Sequence, residues 1–152
     1  MSKILFVCLG NICRSPAGEA VMKSLDVQGL FQIDSAGTNG FHNGERADAR
    51  MRAAAQRRGI DITSISRQIT PADLEQFDYI LTMDNSNYSN TVTLNPEYEG
   101  RVHKFCQYLD GEFAHYDEVP DPYFGGDDGF ELVLDLLDNG CRNFMKQYSH
   151  VK

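Results

Sequence analysis

The chain has 152 residues, 41% hydrophobic and 24% charged, the balance of one ordinary globular domain with a core of its own. Lys and Arg number 14 against 22 Asp and Glu, a net charge of −8, so neither nucleic acid nor an anionic membrane is an expected partner. Met1-Ser2-Lys3 leads into four apolar residues, too few for the core of a secretion signal or a membrane span, and the cysteines at 8, 13, 106 and 141 have neither zinc-ligand spacing nor a dense disulfide pattern. These features place the protein in a reducing cytoplasm.

Ile4 to Val7 is an unbroken apolar run and reads as a fully buried strand. After a short turn, Pro16 falls in the first turn of a helix, where its missing N–H costs nothing, and Ser15 fits the N-cap. Ala17, Ala20, Val21, Ser24 and Leu25 keep helical spacing until Gly29, and Leu30 to Ala36 forms a second strand. Gly37 to Ala47, with glycines at 37, 40 and 44 and Asn39 and Asn43, is a loop. Asp48 caps a helix from Ala49 to Arg58 that stops at Gly59, and Thr70 to Glu75 reads as a short capped helix. Phe77 to Met83 is the third strand, with Asp84 at its end, and Val102 to Phe105 the fourth. The last helix runs from Gly129 to Tyr148, with Gly140, a poor helix residue, in its middle.

Strands alternating with helices predict parallel pairing through right-handed crossovers. The expected fold is therefore an α/β domain over residues 1–152, a three-layer α/β/α sandwich around a four-stranded parallel sheet. Ligands of such open sheets bind beyond the carboxyl ends of the strands. Cys8, Asp84 and Phe105-Cys106 all fall near such ends.

The segment Cys8-Leu9-Gly10-Asn11-Ile12-Cys13-Arg14-Ser15-Pro16 carries the chemistry. A buried strand, a glycine-bearing turn and a helix start make a cradle for an anion, because the turn's N–H groups and the helix's unpaired donors converge on one point. Cysteine at the head of that turn is a nucleophile, since the same dipoles and Arg14 stabilise its thiolate.

Cysteine, five residues, arginine and then serine is the signature of cysteine-dependent phosphatases. The longer string Val7 to Pro16, lying at the N-terminus, resembles one family in particular, the low-molecular-weight protein tyrosine phosphatases. The resemblance continues through Asp34-Ser35-Ala36-Gly37, Ser66-Arg67-Gln68-Ile69-Thr70, Phe77 to Asp84 and Asp121-Pro122-Tyr123-Phe124-Gly125-Gly126, nearly the whole chain. It implies hydrolysis of phosphotyrosine through a phosphocysteine on Cys8, with no metal or other cofactor. Arg14 grips the phosphate dianion with its planar fork, and the backbone from Leu9 through Gly10, Asn11, Ile12 and Cys13 to Arg14 holds the remaining oxygens. Asp121 is the implied general acid for the leaving phenolate and then the base for water, while Ser15 donates to the Cys8 sulfur.

Asn11 and Ser35 match positions with which the family braces its left-handed turn, and asparagine suits such dihedrals. A histidine common in the family before the Arg-Gln pair is absent here, where Ser64-Ile65-Ser66 stands. Cys13 is either the reversible disulfide partner of Cys8, the role the resemblance implies, or a small packing residue. Ile12, Phe41, Tyr123 and Phe124 are expected to wall an apolar slot suited to an aryl phosphate. Related phosphoarginine phosphatases tend to have threonine where this chain has Ile12, which again favours phosphotyrosine. Implied partners are tyrosine-phosphorylated proteins, a bacterial tyrosine kinase among them, met by a monomer or weak dimer in the cytoplasm or, as for some relatives, after secretion into a host.

Two rival activities share parts of this pattern. Arsenate reductases of one class use the same cradle but need two further cysteines near the end of the third strand, and Phe77 to Asn90 has none. A module that binds phosphotyrosine without turnover usually lacks the nucleophile, the arginine or the acid, and all three are present here.

Overall fold

The computed structural model describes residues 1–122 and 126–148. Four strands, β1 Ser2–Cys8, β2 Phe31–Gly37, β3 Tyr79–Thr82 and β4 Val102–Lys104, form one sheet. All pairs are parallel, in the order β2-β1-β3-β4, so the expected fold class stands. The helices are α1 Arg14–Leu25, α2 Ala49–Gln56, α3 Pro71–Gln76, α4 Asn85–Leu94 and α5 Asp127–Tyr148. No helix among the described residues is long and apolar enough to cross a membrane.

Side chains on a strand alternate between faces, and here both faces are covered. Ile4, Phe6 and Cys8 join residues of α1, α2 and α5 in the larger core, while Leu5 and Val7 join Leu74 of α3, Ile80 and Val102 in the smaller one, with Tyr88 and Val92 of α4 packed against it. Each fully buried large apolar side chain contributes roughly 1.5 to 3 kcal/mol relative to exposure, which is why a four-residue apolar run suffices to define the central strand.

Gly140 does not interrupt α5. A methyl group there would overlap the ring of Phe105, so the glycine is a notch that lets the helix lie against that ring. Phe105 in turn stacks on Phe6 at 6.1 Å between centroids, which ties α5 to the central strand.

Three readings shift. Ser15 is not the N-cap of α1: the helix begins at Arg14 behind Cys13, and the Ser15 hydroxyl is taken up by Cys8 and Asn11 instead. The fourth strand ends at Lys104, because Phe105–Tyr108 turns into a 3-10 helix. Helix α4, not expected, follows Asp84, whose carboxylate caps it by accepting from Asn87 N at 2.7 Å. Its sequence is poor in strong helix formers, and its fully buried positions, Asn87 and Thr91, are polar, so the single apolar pair Tyr88 and Val92 is too short a stripe to announce it.

In the order β2-β1-β3-β4 the chain leaves β1 to one side and later returns to its other side. That reversal opens a crevice beyond the carboxyl ends of β1 and β3. Cys8 ends β1 and Asp84 follows β3, so the fold alone brings the cradle and this carboxylate to one place.

Candidate active site

Residues 9–13 form the loop between β1 and α1, and its outward carbonyls are held from outside. Thr38 N donates to Cys8 O at 2.9 Å, Asn39 N to Leu9 O at 3.0 Å and Asp48 N to Ile12 O at 2.8 Å, while the Ser66 hydroxyl donates to Asn11 O. A trans peptide unit points its C=O and N–H to opposite sides. Anchoring these carbonyls outward therefore turns the N–H groups of the following residues toward the concave side, as an anion site requires. Gly37 permits the arrangement: a Cβ there would sit 2.8 Å from Leu9 O and 2.9 Å from Asn11 N.

Asn11 is the sole non-glycine residue with positive φ among the described residues, at 56°. Its side chain explains how that conformation is kept. Asn11 Nδ2 donates to Ser15 Oγ at 2.7 Å, and its Oδ1 accepts from Arg67 N at 3.0 Å. The Arg67 side chain is clamped between Asp34, at 3.1 Å, and Asp73, at 2.9 Å. Ser66 and the Arg67 backbone thus supply the bracing that the missing histidine left open. Ser35 does something else: its hydroxyl donates to Glu19 Oε1 at 2.6 Å, so it braces α1 rather than the loop.

Cys8 is 3% exposed, with Sγ 3.0 Å from Ser15 Oγ. Ser15 has one hydroxyl proton and two acceptors in reach, this sulfur and Ala36 O at 3.3 Å. Since Asn11 already donates to its oxygen, the Ser15 proton is available to whichever acceptor is the more negative, and a thiolate wins that contest.

Arg14 is 3% exposed and firmly oriented. Its Nη1 donates to Asp84 Oδ2 at 2.8 Å and to Val119 O at 2.9 Å, and its Nη2 lies 3.7 Å from Asp121 Oδ2. Burial acts to lower its pKa but is outweighed by Cys8, Asp84 and Asp121, which leave the pKa above its ordinary value. Burial, then Asp48, Cys8 and Asp121, push the Cys13 thiol up.

These groups share a pocket of about 240 Å³ lined by Cys8, Leu9, Gly10, Ile12, Cys13, Arg14, Asn39, Phe41, His42 and Asp121. Asn11 and Ser15 lie behind it, 1% and 0% exposed, as supports rather than lining. Phe41 stands at the mouth, 85% exposed. Tyr123 and Phe124 lie outside the described residues. Sequence reasoning missed Asp84 and the Val119 carbonyl as the partners that aim Arg14, and His42, which packs on Gly10 and pairs with Glu45 at 3.2 Å. The position of Asp84 at a strand's carboxyl end was the available signal for the first; nothing local marks the others.

Comparison with known proteins finds similarity over nearly the whole chain. A model of the low molecular weight phosphotyrosine protein phosphatase family matches residues 3–151. The human low molecular weight phosphotyrosine protein phosphatase is 39% identical over 153 residues, covering 95% of this chain and 94% of that protein. Among solved structures, a protein tyrosine phosphatase from Entamoeba histolytica is 41% identical with a TM-score of 0.93, covering 99% of this chain and 98% of its own. YfkJ from Bacillus subtilis is 32% identical with a TM-score of 0.91, covering 100% and 97%.

Proposed function

The chain belongs to the low molecular weight phosphotyrosine protein phosphatase family, and from that premise we propose how its residues divide the work. The family hydrolyses phosphotyrosine in proteins with a catalytic cysteine. In this chain that cysteine is Cys8. Its thiolate attacks phosphorus in line, so that the S–P bond forms as the bond to the phenolic oxygen breaks. Arg14 and the loop N–H groups hold the equatorial oxygens, whose charge they meet without reorganising. Asp121, protonated, gives its proton to the leaving oxygen.

In the second half, the Asp121 carboxylate takes a proton from water as that water attacks phosphorus. The S–P bond breaks, inorganic phosphate forms, and Ser15 donates to the departing thiolate. Cys13, beside Cys8 in the pocket, is the partner for a reversible disulfide that shields the nucleophile from over-oxidation. Ile12 and Phe41 wall the slot for the aryl ring. On this reading residues 1–152 act as one phosphatase domain, a monomer or weak dimer in the cytoplasm, with a bacterial tyrosine kinase among its substrates.

The observation that carries the proposal is the convergence on one pocket of Cys8 Sγ, 3.0 Å from Ser15 Oγ, and an arginine held by Asp84, with Asp121 at 3.7 Å from that arginine. Steady-state hydrolysis of a phosphotyrosine peptide, beside phosphoserine and phosphoarginine peptides, tests it. Selective phosphotyrosine turnover, lost in Cys8→Ser, is expected; equal turnover of all three peptides contradicts the aryl slot, and activity surviving in Cys8→Ser contradicts the nucleophile.

A further inference from the structure

The segment that ends in Asp121 is fastened to the site through the junction of β3 and α4, and one side chain of that segment takes part. Val119 N donates to Met83 O at 2.8 Å, and Val119 O accepts from Arg14 Nη1 at 2.9 Å. Next to it, Glu118 Oε2 accepts from Asn85 N at 2.8 Å. Asn85 is the first residue of α4, so its N–H has no partner within the helix, and a carboxylate there is also favoured by the helix dipole. Asp84, between Met83 and Asn85, holds Arg14. Three consecutive residues therefore fix both the arginine and the segment that carries the acid.

From this we propose that Glu118 is a positioning residue for the reaction: its hydrogen bond to Asn85 N latches the 118–121 segment so that Asp121 faces the leaving oxygen. The proposal rests on the assignment of Asp121 as proton donor. The segment is also held by the Val119 N–H, by the buried Val119 side chain and by Arg14, but those belong to the backbone, the core or the cradle, which leaves Glu118 as the point where a substitution can loosen the acid without touching them. Glu118 is exposed, so the Asn85 N–H freed by its removal finds water and the fold is little affected.

The test is kcat/KM across aryl phosphates whose phenols range from good to poor leaving groups, for wild type, Glu118→Ala, Glu118→Gln and Asp121→Ala. Inhibition by inorganic phosphate and melting temperature are measured alongside. Glu118→Ala is expected to lose about threefold to tenfold on poor leaving groups, the worth of one hydrogen bond, and little on good ones. Phosphate inhibition and melting temperature stay near wild type, and Glu118→Gln, whose amide oxygen can accept the same bond, recovers most of the loss. A loss in Glu118→Ala that is uniform across leaving groups, or absent while Asp121→Ala is steeply selective, overturns the latch. So does a Glu118→Gln as slow as Glu118→Ala. A flat response in Asp121→Ala instead removes the acid assignment, and the latch falls with it.

Discussion

The floor of the pocket and its mouth differ in almost every physical respect. Cys8, Asn11, Arg14 and Ser15 are 3%, 1%, 3% and 0% exposed, and their positions are set by bonds from Asp34-clamped Arg67, Ser66, Ala36, Asp84 and Val119, all distant in sequence. At the mouth, Phe41 is 85% and Leu9 46% exposed, and the loop from Gly37 onward reaches the pocket with Asn39, Phe41 and His42. The floor must meet charge that develops on a phosphoryl group, and such stabilisation works because the donors do not reorganise. The mouth has to admit the side chain of another protein, which fixed, buried groups cannot do. Burial and side-chain hydrogen bonds are concentrated where chemistry occurs, and exposed side chains where recognition begins.

Substitutions can break this contrast at graded cost. Arg14→Lys strikes the floor hardest: a point charge cannot serve Asp84, Val119 O and the phosphate together, and kcat should fall by about two to three orders of magnitude while the protein stays folded. A fall of less than tenfold would mean that the planar fork is not needed. Ser66→Ala loosens the floor from behind. It removes the donor to Asn11 O, and should lower stability by about 1 to 3 kcal/mol in denaturant titration and also reduce turnover. Lost stability with unchanged kcat would separate the brace from the chemistry. Phe41→Ala, at the mouth, should raise KM for phosphotyrosine peptides a few-fold, with kcat and melting temperature unchanged, because an exposed ring contributes little to the fold. A drop in kcat there would show the mouth to be part of the floor.

The sequence made the floor legible because its demands are local. A buried strand, Gly10, Asn11 suited to positive φ, and Cys8 and Arg14 with five residues between them are written in one short stretch. The sheet was legible for a similar reason, since continuous apolar runs have few other uses. What aims Arg14 was not legible. Asp84 is 70 positions away and Val119 105 away, and their meeting depends on the β1-β3 pairing and the crossover that follows. Nor was α4, whose inward face mixes Asn87 and Thr91 with the single apolar pair Tyr88 and Val92, nor the reason for Gly140, which is the Phe105 ring packed against it. The brace around Asn11 was half legible: the sequence marked a missing histidine, while the replacement by Ser66 and the Arg67 backbone required the fold.

If Cys8 is the nucleophile, the phosphoryl group passes through its sulfur on the way to water. Mixing the enzyme with a fast-reacting aryl phosphate, quenching in acid within the first turnover and analysing the peptides by mass spectrometry tests it directly. Phosphate is expected on the peptide that contains Cys8, accumulating with a burst of phenol and absent in Cys8→Ser. Full turnover without phosphate on that peptide, or with phosphate on any other residue, would contradict it.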